Sequence, residues 1–281
     1  MDLLLPLVGP FWRAGQVLAS TPLGWRGVFF LLLLTGSLSF ILLGPSVRTR
    51  WARDSVWERV QTTGVWRVGL DPSFPPFEDV DASGRIVGFD VDLARAIATT
   101  WGVKVDLVSI GYDGLIDAVR AAKVDAVISA LPYDPLLTRD VRFSIPYFDA
   151  GWRVVVPRAS NVNSLEDLAA ARVAVEWGSE GDVWARRLQR TYPEMRLVLL
   201  LSPEDVLQAL QAGEAEAGIV DGVIARQHAK AVRVVYSLSS EPYVVVMPYR
   251  AHRLQAQVNS TLRRLRETGV LGELEARWFD P

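Results

Sequence analysis

Cysteine is missing altogether from the 281 residues. Its absence excludes thiol catalysis, disulfides and thiolate metal sites, and it also removes anchoring through an acylated cysteine. Histidine is nearly as scarce: only His228 and His252 are present, far apart in sequence, and each reads as a lone surface imidazole. Charge of either sign is not in excess either. Thirty Lys and Arg against 32 Asp and Glu give a formal net charge of −2, without the basic excess of a nucleic-acid binder. A phosphate-binding glycine loop, a Ser-His-Asp set, an internal repeat and a low-complexity stretch are likewise not found.

What the sequence does have is apolar residues, half of the total, in a chain long enough for two compact units. Residues 28–44 run 17 positions without a charge. That is the short end of what crosses a bilayer, for which about 20 residues are needed. A cleaved signal peptide is the competing reading. The run starts late, however, and no small-x-small cleavage site follows it, so we read an uncleaved signal anchor. Arg13 and Arg26 precede the run and Arg48, Arg50 and Arg53 follow it, so the positive-inside rule assigns no orientation. The expected order is an N-terminal segment 1–27, the anchor 28–44, a linker 45–63 and an α/β region from there on.

From residue 66 onward, runs of strand and helix character alternate. Residues 66–70, 105–110 and 124–129 are apolar and rich in β-branched residues, while 91–100 and 115–122 carry helical spacing. The pattern repeats with strands at 172–176, 197–201 and 217–220 and a helix at 182–192. Ser202-Pro203-Glu204-Asp205 opens a further helix with an N-cap, a first-turn proline and an acid at the third position. Ser164 and Asp167 mark a similar start, and 257–268 reads as a last helix. Such alternation predicts βαβ units on mainly parallel sheets.

Particular residues carry more than this periodicity. Val68-Gly69-Leu70-Asp71 is followed by Phe74-Pro75-Pro76-Phe77-Glu78, by Gly88-Phe89-Asp90-Val91-Asp92-Leu93, by Asp117-Ala118-Val119 and by Phe143-Ser144-Ile145-Pro146-Tyr147. The series resembles the extracytoplasmic solute-binding proteins of family 3, the polar-amino-acid receptors of ABC importers. The resemblance implies a two-lobed periplasmic-binding-protein-like (type II) fold with a cleft between the lobes. Lobe 1 is then 64–148 plus 244–281, lobe 2 is 150–240, and crossovers lie at 146–152 and 239–244. It also places the α/β region outside the cell membrane and implies an importer permease as partner. No cofactor and no metal are expected.

In the family an amino acid lies between aromatic faces, with its ammonium on carboxylates and its carboxylate on Arg and backbone N–H groups. By resemblance, Phe74 and Tyr112 form the stacking walls, and Asp71 and Asp221 take the amino group. Asp221 also suits a helix N-cap. Ser129 and Ala130, at the end of the third strand, and the segment Glu176-Trp177-Gly178-Ser179-Glu180, at a helix start, complete the expected site. Phe77 reads as core, Asp90 as a helix cap, and Asp92 as an acid on a first turn.

One part of the family pattern is absent. Where these receptors carry the carboxylate-gripping Arg, this chain has Asp134-Pro135-Leu136-Leu137, with Leu137 in the Arg position and Pro132 where a Thr hydroxyl is usual. Arg139 lies two positions further, about 200° round a helix from Leu137. Asp71, Asp134, Glu176 and Asp221, together with Phe74, Tyr112 and Trp177, then point to a cation, an amine or guanidinium held by charge and cation–π contact. The expected function is the substrate-binding component of an ABC importer for amino acids or small cationic amines. A membrane-tethered sensor and a dehydratase-like enzyme, with Glu176 or Glu180 as general acid, are the alternatives.

Overall fold

In the computed structural model of the chain, residues 54–279 are described. The expected N-terminal segment and the anchor at 28–44 lie outside them. Among the described residues, no helix is long and apolar enough to cross a membrane. Asp54–Pro281 forms one compact unit.

The chain enters with helix α1 (Ser55–Thr63), so the end of the expected linker is helical. Strands β1 (Val65–Leu70), β2 (Asp79–Val80) and β3 (Ile86–Val87) follow, then α2 (Phe89–Trp101), β4 (Lys104–Ser109), α3 (Leu115–Arg120), β5 (Ala126–Val127) and β6 (Val141–Phe143). Next come β7 (Phe148–Asp149), β8 (Arg153–Pro157), β9 (Arg172–Glu176), α4 (Glu180–Thr191), β10 (Arg196–Leu200), α5 (Pro203–Gln211), β11 (Ala217–Val220), α6 (Gly222–Gln227) and β12 (Val232–Ser237). The chain closes with β13 (Pro242–Tyr243), β14 (Val246–Pro248), α7 (His252–Glu267) and α8 (Val270–Phe279).

Two five-stranded sheets result, ordered β4-β1-β5-β14-β6 and β10-β9-β11-β8-β12. In the first, β1 runs parallel to β4 and β5 while β14 is antiparallel to β5 and β6. In the second, β9 is parallel to β10 and β11, and β8 is antiparallel to β11 and β12. β7 and β13 pair antiparallel, Phe148 opposite Tyr243, and form the two-stranded connection from one sheet to the other. Each parallel pair is joined by a helix because parallel strands need a crossover too long for a hairpin. β14, α7 and α8 return the chain to the first lobe.

Phe77 is the centre of that lobe's core. Fully buried, it lies 5.1 Å from the rings of Phe148 and Phe279, 5.4 Å from Tyr243 and 5.9 Å from Phe89. It thereby joins the β1–β2 loop, α2, both crossover strands and the last helix. Gly88 makes this closeness possible. Its φ of +138° suits glycine alone, and a Cβ there would stand 2.1 Å from the Phe77 carbonyl oxygen.

Some elements differ from the sequence reading for identifiable reasons. The strand expected at 124–129 is only β5 long, because the chain turns out of the sheet to present Ser129 and Ala130. Ala130 lies in the left-handed region at φ 44°. Ser164 and Asp167 open only a single 3-10 turn, Glu166–Leu168, and the Asp167 carboxylate turns back to accept from the N–H groups of Asn163 and Ser164. Asp90 caps nothing; Gly88 occupies the N-cap of α2, and Asp90 is buried inside the lobe. Asp92 ties α2 to α8 by accepting from Trp278 Nε1 (3.0 Å) and Arg277 (3.1 Å). Ser202 caps α5 as expected, accepting from the Asp205 N–H.

Asp54 is the cap the sequence did not reveal. One carboxylate oxygen accepts from Val56 and Trp57 at the start of α1, and the other from Arg253 and Leu254 at the start of α7. Asp54→Ala is expected to lower stability by about 2 kcal/mol, the upper range for one cap, because two helix starts lose their acceptor. Denaturant midpoints of the two proteins check this; equal midpoints would mean that α1 adds nothing to the fold.

Candidate functional site

The carboxyl ends of β1 and β5 lie side by side, and the loops leaving them build a cavity of about 310 Å³. Its walls bring together Asp71, Phe74, Tyr112, Ser129 and Ala130. The structure adds Ser73, Glu78, Glu241 and Tyr243, which the sequence reading did not place there, and Pro132 lines the cavity as well. None of the described residues lining the cavity is Arg or Lys.

A chain of hydrogen bonds fixes the floor. Asp71 N–H donates to Ser129 Oγ (3.0 Å), and Ser129 Oγ donates to Glu78 Oε1 (2.7 Å). Asp71 Oδ2 accepts from the Tyr112 N–H (2.8 Å), which holds the Tyr112 loop over β1, and Asp71 lines the cavity. Phe74 and Tyr112 are about half exposed, at 47% and 52%, which is high for large rings and leaves their faces free for a ligand. Phe74 stacks on Phe77 with ring centroids 5.6 Å apart, so the exposed wall is braced on the core.

Beneath the floor is a buried carboxyl pair. Asp90 Oδ2 accepts from the Ala130 N–H (2.7 Å) and from the Tyr147 hydroxyl (2.9 Å). Glu78 Oε2 and Asp90 Oδ1 find no other partner, and the two carboxyls hydrogen-bond to each other. Two bare carboxylates cannot share such a site, so one proton lies between them. Burial first, and then the negative charge of Asp90, push the Glu78 carboxyl far above its usual range, so Glu78 carries the proton. Burial raises the Asp90 carboxyl as well, to about 6, against the lowering effect of its hydrogen bonds with Glu78, Ala130 and Tyr147, so Asp90 is the carboxylate of the pair at neutral pH.

The cavity rim is acidic too. Burial, followed by the charges of Glu180, Asp221 and Asp149, raises the Glu241 carboxyl. The Tyr112 hydroxyl is raised by burial and by Glu241. Asp221 and Glu180 of the second lobe thus belong to the same electrostatic field as the cavity without lining it.

Other expected site residues stand elsewhere. Asp134 caps the 3-10 turn Pro135–Arg139 by accepting from the Leu136 N–H (2.8 Å). Leu137 packs beside the second core of the lobe, with Leu115, Leu131 and Phe143. Because the turn is 3-10 rather than α, two residues rotate about 240°, and Arg139 ends exposed, outside the cavity. In the second lobe, Glu176 ends β9, Trp177 is 65% exposed, and Ser179 caps α4 by accepting from the Asp182 N–H. Asp221 caps α6, accepting from Val223 and Ile224. None of Asp134, Glu176, Trp177, Ser179 and Asp221 lines the 310 Å³ cavity. With Trp177, Phe74 and Tyr112 all exposed, the cleft between the lobes is open.

Glu78 had a signal in the sequence, as the last residue of the Phe-Pro-Pro-Phe-Glu run. Glu241 and Tyr243 had none beyond their place in the return crossover, which only pairing with β7 brings to the cleft.

A two-lobed α/β protein with an open, acidic, aromatic-walled cleft and two crossover strands is a solute receptor by architecture. The sequence comparison agrees: residues 66–281 match the model of bacterial extracellular solute-binding proteins, family 3. The chain belongs to this family, and its function is solute binding. It is 25% identical over 221 residues to ABC transporter arginine-binding protein 1 of Escherichia coli (strain K12), covering 75% of this chain and 89% of the relative. It is 27% identical to the arginine-binding extracellular protein ArtP of Bacillus subtilis (strain 168), covering 75% and 85%. Among solved structures, an ancestral cationic amino acid solute-binding protein matches with 31% identity and a TM-score of 0.59, covering 79% of this chain and 99% of that one. An ancestral cyclohexadienyl dehydratase matches with 26% identity and a TM-score of 0.69, covering 79% and 95%.

Proposed function

We propose that this chain is the substrate-binding component of an ABC importer, and that its ligand is a small cation, an amine or guanidinium compound bound in the cleft without turnover. One observation carries the reading: the cavity presents the carboxylates of Asp71 and Glu241, above the protonated Glu78, with Phe74, Tyr112 and Tyr243, and no Arg or Lys among its described lining residues. A guanidinium or ammonium there gains charge-assisted hydrogen bonds to carboxylates and cation–π contact with the ring faces. A carboxylate there meets only like charge. The arginine-binding relatives favour the same class.

Asp71, Phe74, Tyr112, Ser129 and Ala130 hold the ligand from the first lobe. Hinge closure about the crossover strands then brings Asp221, Glu176, Trp177 and Ser179 onto it, and Asp134 borders the entrance. In this reading, residues 28–44 are a single-pass anchor in the cell membrane that holds the binding region outside it, next to its permease.

The test is a thermal-shift series on the purified protein with arginine, agmatine, putrescine, glutamine and glutamate. A ligand at about 100 times its Kd adds about 2.7 kcal/mol and raises the midpoint by several degrees. Since Leu137 replaces the carboxylate-gripping Arg, agmatine is expected to stabilise at least as well as arginine. Stabilisation by glutamate or glutamine and not by the cations would overturn the proposal, and product formed from a bound ligand would return the enzyme reading.

A further inference from the structure

A second cavity, larger than the first at about 500 Å³, is bordered by the crossover strand β7 and by parts of β8, α6, β12, α7 and α8. Five arginines line it: Arg153, Arg158, Arg226, Arg233 and Arg266. Two of them are neutralised, Arg153 by Asp149 at 3.0 Å and Arg226 by Glu275. The other three donate to neutral acceptors. Arg158 Nε donates to the Ala229 carbonyl (2.8 Å) and Arg266 Nη2 to the Pro146 carbonyl (2.9 Å). Arg233 Nη2 donates to the carbonyls of Ser160 and Val162 and to Asn163 Oδ1. Asp149 and Glu275 are the acids among the described lining residues, so five arginines against two acids leave a surplus of three positive charges among them. The acceptors hold each guanidinium in place, and Arg266 also lies within reach of the Glu275 charge, along with Arg226.

We propose that this groove is a binding site for a small multivalent anion of the phosphate class. Guanidinium forks match phosphate oxygens bidentately, and three around one groove suit a ligand with several charged oxygens. The walls come from both lobes: Arg266 stands on α7 of the first, while Arg158, just past β8, and Arg233, on β12, belong to the second. An anion spanning them ties the two lobes together. Its binding and solute binding are then linked through the hinge, each altering the other's affinity by the same factor. This site is independent of the solute assigned to the front cleft.

Isothermal titration of the full chain in neutral detergent, with pyrophosphate at low salt (about 20 mM), tests the proposal. The expected result is saturable one-to-one binding, weakened about fivefold or more in Arg266→Gln and in Arg158→Gln, because each removes a charged fork. Arg85→Gln, an exposed arginine paired with Asp81 in the β2–β3 hairpin, serves as the control and is expected to bind as the parent does. Equal binding by all four proteins would reduce the effect to diffuse counter-ion attraction and overturn the site. No heat of binding, or a preference for citrate over pyrophosphate, would overturn it as well. Retention on phosphatidylglycerol vesicles without binding of free pyrophosphate would assign the groove to a lipid surface and overturn the free-anion reading.

Discussion

Asp71→Asn is expected to weaken binding of a cationic solute about a hundredfold, a loss of about 2.7 kcal/mol. Asp71 stands at the end of β1 with one carboxylate oxygen already accepting the Tyr112 N–H. Asn keeps that acceptor, so the Tyr112 loop stays in place and the change removes the charge alone. A charge-assisted hydrogen bond to a ligand is worth roughly twice a neutral one, and Asn also offers an N–H₂ that repels the cation's own donors. Titration calorimetry with the cation found in the thermal-shift series measures the effect, and an unchanged thermal midpoint of the free protein shows that folding is unaffected. Asp134→Asn is the informative companion. Its carboxylate caps the turn before Leu136, and it is expected to leave affinity within about twofold, since its site is not in the cavity. An unchanged affinity in Asp71→Asn would show that the cavity is not where the solute binds.

The largest effect on stability is expected from the carboxyl pair below the cavity. Asp90→Ala removes the acceptor of the Ala130 N–H, the Tyr147 hydroxyl and the Glu78 proton, all buried. Each orphaned donor carries a desolvation cost of order 1–3 kcal/mol, so a total of about 3–5 kcal/mol is expected. Glu78→Gln is expected to behave oppositely, because its amide reproduces the protonated carboxyl that the fold already holds. The two variants also separate the pH dependence. Glu78 has its folded pKa raised above the unfolded value near 4.5, so its stabilisation is complete below that value and fades as pH rises towards the folded one. Across this window the native protein binds one more proton than the unfolded chain, and stability falls by up to about 1.4 kcal/mol per pH unit. Asp90, itself raised by burial to about 6, keeps a slope below that pH; above it, Glu78→Gln removes the slope and is more stable than the parent at pH 8. Denaturant unfolding of parent and variant from pH 5 to 8 decides it; parallel curves would mean that the pair shares no proton.

Local sequence carried much of the fold because its signals are local physics. Arg172–Glu176 and Ala217–Val220 are buried strands whose β-branched or small residues fill a sheet with both faces covered. Ser202 followed by Pro203 satisfies a helix start without help from elsewhere. Phe74 and Tyr112 were legible for a similar reason: each follows a strand that ends at the carboxyl edge of a mainly parallel sheet, where loops meet a ligand.

The rest depended on contacts between segments distant in sequence. Asp90 read as a cap from its place at a helix start, yet its partners are residues 130 and 147, brought to it only when the lobe closes. Glu241 reaches the cavity because β13 pairs with β7, and no pattern around it foretells that pairing. Arg158, Arg226, Arg233 and Arg266 look in sequence like ordinary surface charges, and only the folded chain gathers them around one groove. By itself the sequence carried the family and most of the strands and helices, and it showed Leu137 standing where the resemblance expects an Arg. Which carboxyls line the cleft, which one keeps its proton and where the positive charge collects were decided by tertiary structure. Those properties depend on burial and on distances across the chain, and neither exists before the two lobes have folded.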